Sequence, residues 1–145
     1  MAYKVSDIAN KIIKMASDND AGELVSNMKL QKLLYYQQGF HLAYFEKPLF
    51  EENIEAWMYG PVVPSIYDKY KAEGSNGLSY EGDVISLTPK EEALFNEVMI
   101  VYGEFSAIGL MNLTHSESPW KETPIGVGNE ISKDRMMTFF KKKLK

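Results

Sequence analysis

The chain has 145 residues, with 16 Lys and Arg against 20 Asp and Glu, a formal net charge of −4, and no cysteine. Disulfides, thiolate metal sites, iron–sulfur clusters and thiol nucleophiles are therefore excluded, and a cytosolic address fits. The acidic balance argues against a protein whose main task is holding a phosphate backbone, because that affinity is built from Lys and Arg, so nucleic acid is not an expected partner. Charge is uneven: net −2 from Met1 to Glu73, −6 from Gly74 to Phe140, then four lysines (Lys141, Lys142, Lys143, Lys145) that read as cations at a helix C-terminus. No run approaches the ~18 apolar residues of a membrane span, and the start Met-Ala-Tyr-Lys lacks the apolar stretch of a signal peptide. No repeat, low-complexity tract or linker divides the chain, so residues 1–145 read as one domain.

Val5, Ile8, Ala9, Ile12 and Ala16 recur at helical spacing behind Ser6, the expected N-cap, and this first helix should end in the polar stretch Ser17 to Gly22. A second helix begins at Ser26 or Asn27 and carries Leu30, Leu33, Leu34, Phe40 and His41 over some eighteen residues, a stripe wide enough for a central helix. Gly39 in its middle costs about 1 kcal/mol against Ala, which predicts a close approach there. Ile54 to Tyr59 is β-prone, with Ile54, Ala56 and Met58 on one side and Glu55, Trp57 and Tyr59 on the other. Pro61 and Pro64 should stop the strand, and Pro64 opens a helix to Gly74. Val84 to Leu87 is the expected partner strand. Thr88-Pro89-Lys90-Glu91 is a capping-box signal for a helix ending at Gly103. A short helix follows from Ser106 to Thr114, then irregular chain from Glu117 to Asn129, and a last helix capped by Ser132. The fold class is mainly α: a single compact helical domain of five to six helices with a small two-stranded β element.

Catalytic signatures are sparse. Neither histidine sits in a metal-ligand spacing, and there is no nucleophile elbow and no phosphate-cradling glycine loop. No metal or cofactor is implied, and an enzyme is not expected. The stretch Thr114-His115-Ser116-Glu117 places the side chains of half an acid–base site within a few residues, so a small hydrolase using His115 and Glu117 is the enzymatic alternative. The same residues also serve as a local hydrogen-bond network. Aromatic supply is the richer feature: Tyr35, Tyr36, Phe40, Trp57, Tyr59, Tyr67 and Trp120 pack cores and also anchor interfaces. Adjacent Tyr35 and Tyr36 point about 100° apart and cannot both face the same core direction, so at least one aromatic of a set that also includes Tyr44, Phe45 and Tyr70 is expected to face a partner.

The run Met28-Lys29-Leu30-Gln31-Lys32-Leu33-Leu34-Tyr35-Tyr36-Gln37-Gln38-Gly39-Phe40-His41-Leu42-Ala43 resembles the first block of the Panacea domain, a SocA-like, phage-associated family. Glu55-Ala56-Trp57-Met58-Tyr59-Gly60-Pro61-Val62-Val63-Pro64 with Tyr67 resembles the second, Tyr102-Gly103 with Ser106-Ala107 the third, and Leu113-Thr114-His115-Ser116-Glu117-Ser118-Pro119-Trp120 the fourth. The resemblance implies an antitoxin that neutralises a cognate protein toxin by direct binding. It also leaves open a homo-oligomer, a proteolytic adaptor that delivers the toxin to ClpXP, and a phage- or prophage-encoded inhibitor of a host protein. Some relatives carry an added helix-turn-helix domain, which is not expected here. The resemblance supplies no catalytic residue. It implies a scaffold role for the motif residues: Trp57, Tyr59, Gly60 and Pro61 shape a turn, and His115, Glu117 and Trp120 fasten a loop.

Overall fold

The computed structural model describes residues 2–18 and 24–144; the expected end of the first helix at Asn19 to Gly22 and the last lysine, Lys145, lie outside them. The architecture is mainly α. Helix α1 (Val5–Asp18) is followed by α2 (Asn27–Phe45), strands β1 (Ile54–Trp57) and β2 (Gly60–Val62), α3 (Pro64–Tyr70) with a 3-10 turn over Lys71–Glu73, α4 (Pro89–Tyr102), α5 (Ala107–His115), α6 (Ser118–Lys121), β3 (Glu130–Ile131) and α7 (Lys133–Lys141). Seven helices thus appear among the described residues, and the β element has three strands rather than two. The added helix, α6, lies in the stretch read as irregular: Pro119 sits in its first turn, where a missing N–H is harmless.

α2 is the centre. The Ser26 hydroxyl accepts from the Lys29 N–H at its start, and Glu46 closes its end in a left-handed conformation (φ 58°) with its N–H on the Leu42 carbonyl. Helices α1, α3, α4, α5 and α7 and strand β2 all pack on it, so nearly every residue from Leu30 to Ala43 is buried. Gly39 shows why the approach is close: a Cβ there would fall 2.2 Å from the Phe140 ring of α7. A helix enclosed on all sides must also satisfy its polar side chains internally. Gln31 donates to Asn27 Oδ1 (2.9 Å) and accepts from Val63 N–H (2.8 Å). Gln37 donates to the Phe95 carbonyl, and Gln38 bridges the Phe50 carbonyl and the Leu49 N–H. His41 places Nδ1 2.7 Å from the Lys47 carbonyl and Nε2 2.6 Å from the Glu91 carboxylate.

Helix starts follow their capping chemistry in three further places. Thr88 and Glu91 form the capping box of α4, Ser106 caps α5 and Ser132 caps α7. The first helix differs from expectation. It already runs from Val5, with the Lys4 carbonyl accepting from the Asp7 and Ile8 N–H groups, so Ser6 lies inside it and is not the N-cap.

The sheet order is β2-β1-β3, both pairings antiparallel. Trp57 pairs with Gly60 and Ala56 with Pro61, so the turn is Met58-Tyr59 and Pro61 belongs to a strand instead of stopping one. β2 is an edge, where proline's lack of a donor is tolerated. The segment 84–87 is not a strand. The Lys11 ammonium takes the Ile85 carbonyl (2.9 Å) and Glu92 takes the Leu87 N–H (3.1 Å), so its backbone is satisfied by side chains of α1 and α4. β3 fills the place beside β1, and the loop before it is clipped on by Gly126 N–H to the Ala56 carbonyl and Ala56 N–H to the Asn129 carbonyl.

Candidate functional site

Residues from α2, the β1–β2 hairpin and the α5–α6 corner converge on one region. Its innermost part is acidic. Glu117, 4% exposed, accepts from Tyr35 OH on one carboxylate oxygen and from Tyr36 OH on the other, each at 3.0 Å. Tyr35 and Tyr36 meet edge-on at 4.9 Å, and Tyr36 stacks on Tyr102 at 4.0 Å. Burial lifts the Glu117 pKa to about 7, against the two hydroxyl hydrogen bonds and the Lys143 charge that favour the ionised form. Burial and Glu117 in turn hold both tyrosines well above their ordinary value, and Tyr102 at about 12.

Tyr35, Tyr36 and Phe40 are therefore core residues. α2 has no solvent side at these positions, so the different directions of the two adjacent tyrosines lead to different parts of one core, and of the aromatic set it is Tyr44 (56% exposed) and Tyr59 that reach the surface.

Around this centre lies a ring of motif residues. His115 stacks on Trp120 (centroids 3.9 Å apart, planes 18°), and Trp120 Nε1 donates to the Trp57 carbonyl (2.8 Å), which ties the α5–α6 corner to the hairpin. Trp57 donates to its neighbour Glu55 across one residue (2.9 Å) and meets Tyr67 edge-on at 5.0 Å. Pro61 is buried on β2, whereas Tyr59 in the turn is 61% exposed and Met58 64%.

The acid–base arrangement drawn from residues 114–117 does not assemble. Thr114 donates to the Met111 carbonyl and Ser116 to the Leu113 carbonyl, both back along α5, and both Glu117 oxygens are taken by tyrosines. His115 Nε2 is buried without a hydrogen-bond partner. Burial and the Lys32 charge push its pKa down, opposed by the Met58 backbone. Thr114, Ser116 and Glu117 each bond to a different partner, and among the described residues no hydrogen bond joins them to one another. Among the described residues, no group of three His, Asp or Glu is placed to hold a metal ion.

Lys32 is the member that sequence reasoning passed over. It is 1% exposed on α2, and a Cβ at Gly60 would lie 2.8 Å from its Cε, 3.3 Å from its Nζ and 3.1 Å from Thr114 Oγ1. Gly60 has φ +119°, so only glycine lets the hairpin lie on the lysine stem without strain. Burial alone lowers the Lys32 pKa to about 8. A signal was present: Lys32 precedes Tyr35 and Tyr36 by three and four residues, and so shares their side of the helix.

Fold and site together define a mainly helical domain whose prominent polar side chains are spent on internal structure. Residues 30–121 match the family model described as antitoxin SocA-like, Panacea domain, and the chain belongs to that family. It is 30% identical over 137 residues to Antitoxin SocA of Caulobacter vibrioides, covering 86% of this chain and 72% of that protein. It is also 25% identical over 114 residues to a protein named nucleoside diphosphate kinase of Chlamydia pneumoniae, covering 78% and 74%. No solved structure matches. No single helix among the described residues is long and apolar enough to cross a membrane.

Proposed function

We propose that this protein is a cytosolic antitoxin that neutralises a cognate protein toxin by direct binding, with residues 1–145 acting as one domain and without catalysing a reaction. The observation that carries the reading is the family match over residues 30–121, joined by 30% identity to a curated antitoxin. The site supports a binding role, because Glu117, Thr114 and Ser116 each have a structural partner and His115 lies under Trp120. Binding also needs accessible apolar surface. Ile100, Val101, Phe105 and Ile108 supply it along the end of α4 and the start of α5, and Met58 and Tyr59 supply it at the hairpin turn. The net −6 between Gly74 and Phe140 adds complementarity to a basic partner.

Co-expression with the product of the neighbouring gene tests the proposal. Growth should be restored and the two proteins should co-purify, with affinity falling as salt rises. Toxicity that persists although both proteins are soluble refutes it for that pair. Occlusion predicts that the toxin stays intact in the complex. Its disappearance in a ClpXP-competent strain, with accumulation in a strain lacking ClpXP, replaces occlusion by adaptor-mediated degradation. Protection that survives His115→Ala removes the hydrolase alternative.

A further inference from the structure

The buried polar side chains of α2 are matched one by one among the described residues, with a single exception. Asn27, Gln31, Gln37, Gln38 and His41 each have hydrogen-bond partners, and Tyr35 and Tyr36 share Glu117. Lys32, as deeply buried as they are, has neither a hydrogen bond nor an ion pair among the described residues. An uncompensated buried cation costs several kcal/mol, and proteins that keep one give it a counter-ion or a task.

Lys32 lines a cavity of about 380 Å³ between α2, the hairpin and α3, at the small end of the range in which compact organic ligands bind. The walls are Trp57, Tyr59, Tyr67, Met28 and Val62, and Lys71 stands on the lining as a second cation. Among the described residues no carboxylate lines it. Glu55 on β1 accepts from Trp57 Nε1 and Gly128 N–H, and Lys71 has its own exposed ion pair with Asp68 at 3.8 Å, which leaves Lys32 as the cation without a partner on the lining among the described residues. The two remaining polar lining groups, Asn27 and Gln31, are occupied in holding α2 to α3 and to Val63.

From this geometry we propose that the cavity is a binding site for a small organic acid, whose carboxylate pairs with Lys32 and whose flat apolar body lies against Trp57 and Tyr67. The aromatic walls supply contact area and the anion supplies the missing partner of the lysine. At neutral pH the ammonium is still protonated, because burial brings its pKa down only to about 8. His115, which feels the Lys32 charge, gains from the same neutralisation. The site is independent of which toxin the protein binds, and of whether it binds one.

The test uses 2-naphthoate and its neutral isostere 2-naphthamide, titrated into the full chain at pH 7, with the Trp57 indole N–H followed by NMR. The carboxylate should give a saturable shift at an affinity at least about tenfold above the amide, as expected for a charge-assisted pair with a buried ammonium. Lys32→Met keeps the side-chain length and apolar stem, and should erase the difference between the two probes. Equal affinity for acid and amide overturns the proposal, as does a missing saturable shift with the acid. The acid–amide comparison needs only the wild-type chain, so it decides the question even if K32M fails to fold.

Discussion

Glu117 offers a direct measurement of how strongly the core holds a proton. The perturbation is Glu117→Gln, which keeps the shape of the side chain and an acceptor for one tyrosine hydroxyl while removing the titration. In the folded protein the carboxyl titrates at about 7, against 4.5 for the ordinary group, because burial outweighs the hydrogen bonds from Tyr35 and Tyr36 and the pull of Lys143. The folded state therefore binds this proton more tightly than the unfolded chain does, and stability falls as pH rises from 4.5 through about 7. Over the practical range from about pH 5.5 to 8.5, linkage assigns about 2 kcal/mol of this loss to Glu117. Urea unfolding followed by circular dichroism at several pH values should show wild type losing that amount relative to E117Q across the range. Stability curves that run parallel, with a constant gap between the two proteins, would refute the account of Glu117 as a carboxyl held partly protonated by burial.

The Gly39→Ala variant pits about 1 kcal/mol of helix propensity against a methyl group driven into the Phe140 ring, and the clash should win by about 1–3 kcal/mol. Combining G39A with Phe140→Ala should cost less than the sum of the two single losses, as the new methyl occupies part of the emptied space; a urea midpoint for G39A above wild type contradicts the close approach. Glu91 behaves oppositely to Glu117: burial pushes it up, but hydrogen bonds from His41, Tyr3 and Thr88 more than offset this and hold it at about 2. Its contribution is present above pH 4.5 and is lost as pH falls through about 2, so Glu91→Gln should flatten the acid limb of the stability profile. An acid limb unchanged in E91Q would move the source of acid sensitivity elsewhere.

What could be read in advance was what chemistry places locally. Thr88 with Glu91, and Ser26, Ser106 and Ser132, announce helix starts because a side-chain oxygen satisfies an N–H a few residues away, and that pairing needs no tertiary structure. Gly39 signalled a close contact for the same kind of reason. Pro61 misled because its effect depends on whether the strand is central or on an edge, a property of the sheet and not of the residue. Val84 to Leu87 misled because its β propensity is overruled by Lys11 and Glu92, which reach its backbone from distant elements. β3, two residues long, is too short to show a period. At the site, the residues of three motif blocks were marked by type, but their roles depend on what surrounds α2. Tyr35 and Tyr36 looked like candidates for a surface and are buried acid-binding groups. Lys32 was not singled out by its sequence neighbourhood and is enclosed.

The enclosure of α2 on every side has a consequence for how such a protein diversifies. Substitutions on this helix have no neutral direction, since each of its faces supports a different neighbour, and a mutational scan should find a nearly unbroken intolerant stretch from Leu30 to Ala43. Change is left to the periphery: the hairpin turn at Met58 and Tyr59, and the outer surfaces of α4 and α5. A centre that cannot vary, inside a shell that can, allows one fold to be fitted to partners of unlike shape while its folding problem stays solved.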